Sequence, residues 1–404
     1  MKNNIDLIIF PMHDWKKCEA EGFRTRDAHI MQHFDHNEHI RKILVVDRPI
    51  SMPEMILMKR RWRVKNGKII KKMPFARISQ VANKIFVLDI FSSDIIKPLT
   101  LKQNWWAHIF RQEKILRRIN EAANYLELQS RILFLWSPLS TGVIGRLKED
   151  FVVFDALDNW YEHPGMVESR ERVKEGYELI KKSSNIMFAN AKSITEFLKN
   201  DNSEVIYIPN GVDPSHFDVG NDVEIPDDIK DIPKPLIGYG GKLEKRIDVS
   251  LIDYIANEMP QASFVFIGPF LDRKWMKPLF GRSNIYFLGD KHYNIFPQYI
   301  SALDICIIPH IVGGFDADHI KLYEYLAAGK PVVSTGVVGS GVFKDIITIA
   351  NSKEDFLKGI EHWLSVLEND RVISERLKNS IPESCFWKTK ADFMIEKIIA
   401  EYNS

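Results

Sequence analysis

The sequence lacks most of what would set it apart from an ordinary globular chain. Its 404 residues include only three cysteines, Cys18, Cys306 and Cys385. They lie far apart, no pair has metal-ligand spacing, and an odd number argues against a disulfide framework. A reducing compartment is the simple expectation. Neither sign of charge dominates: 55 Lys and Arg stand against 54 Asp and Glu, leaving +1. The whole chain is therefore neither a polycation nor a polyanion. No apolar run approaches the ~20 residues needed to cross a bilayer. The start, MKNNIDLIIFPMHD, has one Lys and an apolar run too short for a secretory signal. A cytoplasmic protein is expected. No short-period repeat and no low-complexity tract is present. Apolar residues make up 45%, ample for globular cores. The length exceeds one ordinary domain, and two of roughly 200 residues each are expected.

The most informative stretch runs from Asp304 to Thr335, DICIIPHIVGGFDADHIKLYEYLAAGKPVVST. Ile305 to Ile308 form a short apolar run stopped by Pro309, as in a strand buried on both faces. Gly313 and Gly314 mark a loop. Asp318 stands where a helix N-cap would. KLYEYLAAG has helical composition and ends at Gly329 with Pro331 just beyond. Val332 to Ser334 then read as another buried strand. This predicts one unit of a parallel α/β sheet. Lys321 and Glu324, three apart, share one helix face near its N-terminus, at the carboxyl end of a strand. Open α/β sheets bind nucleotides and phosphates at such places. The plainer alternative for Glu324 is a solvated carboxylate paired with Lys321.

The run Glu324-Tyr325-Leu326-Ala327-Ala328-Gly329-Lys330-Pro331-Val332-Val333, with the acidic Asp316 eight positions before Glu324, resembles the donor-binding motif of GT-B glycosyltransferases similar to family 4. The family commonly has Glu at the earlier position. The resemblance implies that Glu324 hydrogen-bonds the ribose of a sugar nucleotide. It implies that Lys321 and Leu322 line the donor site. It further implies that Gly314, Phe315 and Asp316 approach the sugar. Upstream, LIGYGGKL (236–243) reads as strand, glycine turn and helix start. In the family this segment brings cations to the donor diphosphate, which implies Gly241, Lys242 and Arg246 (or Lys245). Cations there stabilise the departing diphosphate. Tyr293, after the strand NIYFLG (284–289), falls where the family reads the nucleobase. Asp316-Ala317-Asp318 matches a short D-x-D pattern that elsewhere holds a divalent ion. The GT-B framework does not need it, so no metal cofactor is expected.

The first half reads as parallel strands at DLIIF (6–10), RKILVVD (41–47), RILFLW (131–136), FVVFD (151–155), NIMFA (185–189) and VIYIP (205–209). In the resembled family the loop after the first strand faces the acceptor. His13 is thereby a catalytic candidate, and Asp14, Arg24 and Arg26 are acceptor-side candidates. A solvated loop is the alternative. Asp158 and Asp155 follow or end the 151–155 strand and are candidates for the general base, Asp158 first. A helix N-cap is the alternative for Asp158. The segment also resembles the D-x-x-D-x-W stretch of bacterial exopolysaccharide and teichuronic-acid-type transferases. Pro209-Asn210-Gly211-Val212-Asp213, followed by Phe217, matches the family signature at the exit of the N-terminal domain.

KRRWRVKNGKIIKK (59–72) is the most unusual composition in the chain, and Asn66-Gly67 predicts a hairpin turn within it. Trp105 to Arg118 mixes aromatics and cations on a helical pattern. Both segments, Lys59–Lys72 and Trp105–Arg118, fit an anionic membrane surface. A solvated face with two Trp rings in the core and a nucleic-acid patch are the alternatives. No nucleic-acid-binding module is visible, so nucleic acid is not the expected partner.

The expected fold class is α/β: the GT-B fold, two Rossmann-like domains with parallel sheets facing a central cleft. The expected divisions are an acceptor domain over 1–217, an acidic and proline-punctuated linker over 218–235, a donor-nucleotide domain over 236–380, and a helix over 381–404 crossing back to the first domain. The implied activity is transfer of a sugar from a nucleotide diphosphate, UDP first. The acceptor would be a hydroxyl of a glycan or lipid-linked molecule in bacterial surface polysaccharide assembly. An epimerase or hydrolase of the same fold, or a catalytically degenerate scaffold, are the alternatives.

Overall fold

The computed structural model describes residues 4–199, 204–220, 223–313, 318–336 and 340–404. The chain divides into two compact units, Met1–Ile208 with Lys388–Ser404, and Pro209–Trp387.

In the first unit β1 (Ile5–Phe10), β2 (Ile40–Val46), β3 (Ile50–Ser51), β4 (Lys68–Met73), β5 (Ala76–Gln80), β6 (Ile85–Ser92), β7 (Ile132–Leu135), β8 (Phe151–Ala156), β9 (Ile186–Ala189) and β10 (Val205–Tyr207) form one sheet. Its order is β10-β9-β8-β7-β1-β2-β6-β5-β4, with β3 beside β6. The strands from β10 to β6 are parallel, and β5 and β4 add an antiparallel edge. Every residue of β1, β7, β8 and β9 is buried, which is why these strands read as unbroken apolar runs rather than alternating ones. The sequence reading assigned no strand to Ile85–Ser92.

The expected hairpin at Asn66-Gly67 is not formed. The turn lies at Pro74-Phe75, between β4 and β5, where Phe75 takes a φ of 58°. The arm before Asn66 cannot pair because its amides are already taken. Asp89 Oδ2 accepts the Val64 N–H at 3.0 Å, and Glu19 accepts those of Lys65 and Asn66 at 2.8 Å each. Trp105 belongs to the core, 2% exposed, and Trp106 donates to Ser140 Oγ at 3.2 Å. The helical pattern over 105–118 splits into helices Trp105–Ile109 and Glu113–Tyr125.

The second unit is a six-stranded, wholly parallel sheet ordered β13-β12-β11-β14-β15-β16. Its strands are β11 (Leu236–Gly240), β12 (Ser263–Ile267), β13 (Ile285–Gly289), β14 (Ile305–Ile308), β15 (Val332–Thr335) and β16 (Thr348–Ala350). Between β14 and β15 lies the helix Ile320–Ala327, which ends as the sequence indicates. Gly329 takes φ 70°, its N–H bonds the Leu326 carbonyl, and Lys330 N–H bonds that of Tyr325. The 218–235 segment packs on this unit: Ile229 is buried in its core with Leu236 and Tyr299, and so is Phe217 just before the segment. The final helix, Trp387–Tyr402, groups with the first unit from Lys388 onward. Among the described residues no helix is long and apolar enough to cross a membrane.

Candidate functional site

In the second unit the glycine turn after β11 and the Ile320–Ala327 helix come together. Tyr325, in the middle of that helix, is fully buried. Its hydroxyl accepts the Gly240 N–H at 2.7 Å and lies 3.2 Å from the Gly240 carbonyl, pinning the end of β11. Gly241 follows with φ 149°. A Cβ on the neighbouring Gly268 would meet the Gly241 carbonyl oxygen at 1.9 Å, so two backbones pass where no side chain fits.

Lys321 sits against this turn. Its Cε lies 3.1 Å from where a Gly241 Cβ would stand, and its ammonium is 5.3 Å from the centre of the Tyr239 ring. Burial, then the charge of Arg246 and more weakly Lys242, lower the Lys321 pKa to about 8, against the pull of Glu324 and Glu244. Arg246 is 3.1 Å from Glu244, and Lys242 is exposed. The site thus gathers three cations at the carboxyl end of a strand. Beneath them is a buried polar chain that the sequence reading missed. The Tyr239 hydroxyl is 3.1 Å from His310 Nε2, and His310 Nδ1 is 3.2 Å from His319 Nε2. Burial and the charges of Lys321 and Arg246 hold both imidazoles well below the usual range, with the His319 ring adding to the effect on His310. A proline-histidine pair ending β14 and a histidine opening the next helix were the available signals.

Glu324 is buried and accepts the Tyr293 hydroxyl at 2.9 Å. Tyr293 is held in turn by His216, whose ring stacks on it at 4.4 Å and whose Nε2 is 3.1 Å from its carbonyl. Burial and the nearby carboxylate push the Tyr293 phenol well above its ordinary range, so it remains a donor. Leu322 is buried. Asp318 is not the helix N-cap; His319 holds that position. The Asp318 carboxylate instead accepts the Asn210 N–H and, at 3.0 Å, the Tyr323 hydroxyl, while Asn210 Nδ2 bonds the Asp318 carbonyl at 2.7 Å. Gly314, Phe315 and Asp316, the last being the first acid of the D-x-D pair, lie outside the described residues.

In the first unit the structure separates the acidic candidates. Asp155 is fully buried. Arg26 Nε and Nη2 donate to its two oxygens at 3.0 Å each, and Trp136 Nε1 donates at 2.7 Å. Asp155, a candidate base, and Arg26, an acceptor-side candidate, are thus paired with each other in the interior. Asp158 lies just past β8, half-buried, with its carbonyl 3.1 Å from the Tyr177 hydroxyl.

His13 is backed by Asp27, which the sequence reading did not single out. His13 Nδ1 is 3.0 and 3.2 Å from the two Asp27 oxygens, and the His13 N–H bonds Asp27 Oδ2 at 2.8 Å. Burial opposes ionisation of Asp27, but His13 and Thr25 outweigh it and hold the carboxyl below its usual range. Asp14 accepts the Arg48 N–H at 2.8 Å, and Arg24 lies 3.2 Å from Glu21.

Residues 234–365 match the family model described as "Glycosyl transferases group 1". TuaH of Bacillus subtilis (strain 168), assigned by its name to teichuronic acid biosynthesis as a glycosyltransferase, is 24% identical over 202 residues, 46% of this chain and 51% of that protein. The match therefore spans about half the length of that curated relative. Among solved structures, HepE of Anabaena in complex with UDP is similar at a TM-score of 0.62 and 13% identity, over 98% of this chain and 99% of that one. Sucrose-phosphate synthase of Thermosynechococcus elongatus is similar at 0.66 and 14%, over 99% of this chain and 100% of that one. At these identities the likeness is one of fold. The chain has the GT-B fold, and the match to the group 1 glycosyltransferase model lies within its second unit.

Proposed function

We propose that the protein is a glycosyltransferase that moves a sugar from a nucleotide diphosphate, UDP first, to a hydroxyl of a glycan or lipid-linked acceptor. The setting would be bacterial surface polysaccharide assembly at the inner face of the membrane. The observation that carries this reading is the cation group Lys242, Arg246 and Lys321 around the Gly241 turn, with the Glu324 carboxylate fixed beside it. Like charges gathered in a partly buried place are costly unless an anion joins them. A diphosphate supplies that anion, and a ribose hydroxyl supplies a donor for Glu324. The solved HepE complexes with UDP and with UDP-glucose, and the name of TuaH, support the nucleotide and the setting.

In the proposed reaction the acceptor oxygen forms a bond to the anomeric carbon. The bond from that carbon to the diphosphate oxygen breaks, and its electron pair leaves with the diphosphate, whose new charge the three cations stabilise. The acceptor proton goes to His13, oriented by Asp27, or to Asp158. Asp14 and Arg24 are assigned to the acceptor side. No metal ion takes part in this reading.

The test is calorimetric titration of UDP and GDP, with and without EDTA, on the wild-type chain and on Glu324→Ala. Binding of UDP that EDTA leaves unchanged and Glu324→Ala abolishes is expected. If neither nucleotide binds, the donor site is refuted and a scaffold role takes its place.

A further inference from the structure

Two short helices of the first unit turn apolar side chains outward. β3 pairs in parallel with the end of β6, Ile50 beside Phe91 and Ser51 beside Ser92, so the chain leaves both strands at one edge. The helix Met52–Leu57 follows β3, the helix Ile96–Leu101 follows β6, and the two lie against each other. Ile56, Leu57, Met58, Ile95, Ile96 and Leu99 are each more than half exposed, Leu57 at 70% and Ile96 at 74%. A single exposed aliphatic needs no explanation, but six on two touching helices do. The exposure is not fraying. A capping box between Ser51 and Glu54 fixes the first helix, and Arg48 holds Glu54 at 2.7 Å. The helix is thus anchored by its polar side.

Cations surround this apolar face. Lys59, Arg60, Arg61 and Arg63 follow the first helix, Lys97 stands on the second, and Lys102, 3.4 Å from Glu168, follows it; all six are exposed. The acids of these segments are engaged: Glu54 is buried between Arg48 and Arg60, and Asp94 lies 3.4 Å from Lys114. The face is therefore apolar at its centre and positive around it.

We propose that this face docks on an anionic lipid bilayer, its aliphatic side chains entering the headgroup boundary while the cations hold lipid phosphates. The charge selects this occupant. A symmetric contact with a second copy would set these cations against themselves across the two-fold axis. Nucleic acid would use the cations but leave six aliphatics in water. Of the two segments the sequence offers for such a surface, the proposal keeps the start of Lys59–Lys72 and leaves out Trp105, which is buried. It rests on the reading above only for its purpose, bringing the chain to a lipid-linked acceptor.

The test is co-sedimentation of the full chain, without nucleotide, with vesicles of phosphatidylcholine alone or mixed with phosphatidylglycerol. Binding is expected on the mixed vesicles only, weakened by salt. The double substitution Leu57→Glu with Ile96→Glu is expected to lower binding at least about tenfold, and Lys59→Glu with Lys97→Glu to lower it as well. UDP binding by calorimetry should be unchanged in both. Failure to bind phosphatidylglycerol vesicles overturns the proposal, as does equal binding by the Leu57→Glu/Ile96→Glu variant. Dimers in size-exclusion chromatography that the same substitutions turn into monomers overturn it in favour of self-association. Vesicle binding without UDP binding would leave this proposal standing and refute the donor site.

Discussion

Tyr293 donates its hydroxyl hydrogen bond to Glu324 at 2.9 Å, so the Glu324 carboxylate is oriented by the loop after β13. One oxygen of Glu324 is engaged by this bond. Tyr293→Phe should therefore weaken UDP binding by roughly 2- to 10-fold, the factor for one net hydrogen bond. Glu324→Ala should weaken it more. With 2′,3′-dideoxy-UDP the Tyr293→Phe penalty should vanish. A penalty of equal size with that ligand would mean that Glu324 does not read the ribose.

Lys321 gives the site a pH dependence. Its pKa is lowered to about 8, so the free protein loses this charge as pH rises through that value. A bound diphosphate favours the ammonium, so binding above about pH 8 must take up a proton. UDP affinity should fall between about pH 7.5 and about pH 9.5, and calorimetry in buffers of different ionisation enthalpy should show the uptake. Lys321→Met should bind more weakly and lose that slope. An unchanged slope would assign it elsewhere.

The carboxylates after β8 separate by stability. Asp155→Ala leaves Arg26 buried without its partner and should cost about 3–5 kcal/mol in denaturant unfolding. Asp158→Asn should stay within about 1 kcal/mol of wild type. Turnover by a folded Asp155→Ala comparable to wild type would show that Asp155 is not needed chemically. A stable Asp155→Ala with no turnover would reverse the assignment made from the Arg26 and Trp136 bonds.

His13 and Asp27 should act as a pair. Asp27→Asn removes the carboxylate that orients Nδ1, and transfer should drop by about 10²–10⁴-fold if His13 takes the acceptor proton. His13→Gln should drop as far, and the double variant little further. UDP affinity should be untouched in all three. Full activity in Asp27→Asn would leave the proton to Asp158.

The sequence alone determined most of the parallel strands and the end of the motif helix at Gly329. Strands buried on both faces must be apolar runs, and a helix end needs its glycine; both are local requirements, written in consecutive residues. Local spacing also put Lys321 and Glu324 on one helix face. It could not decide which charged groups would be consumed by the fold. Arg26 meets Asp155 from 129 positions away, and Asn210 meets Asp318 from 108. Both pairings exist only because distant strands and loops converge. Composition likewise left Trp105 open between an interface and the core; packing put it in the core and left Leu57 and Ile96 outside. The tertiary structure decided these points because the partner of a buried charge, and the side of a helix that meets water, depend on what the rest of the chain packs against it.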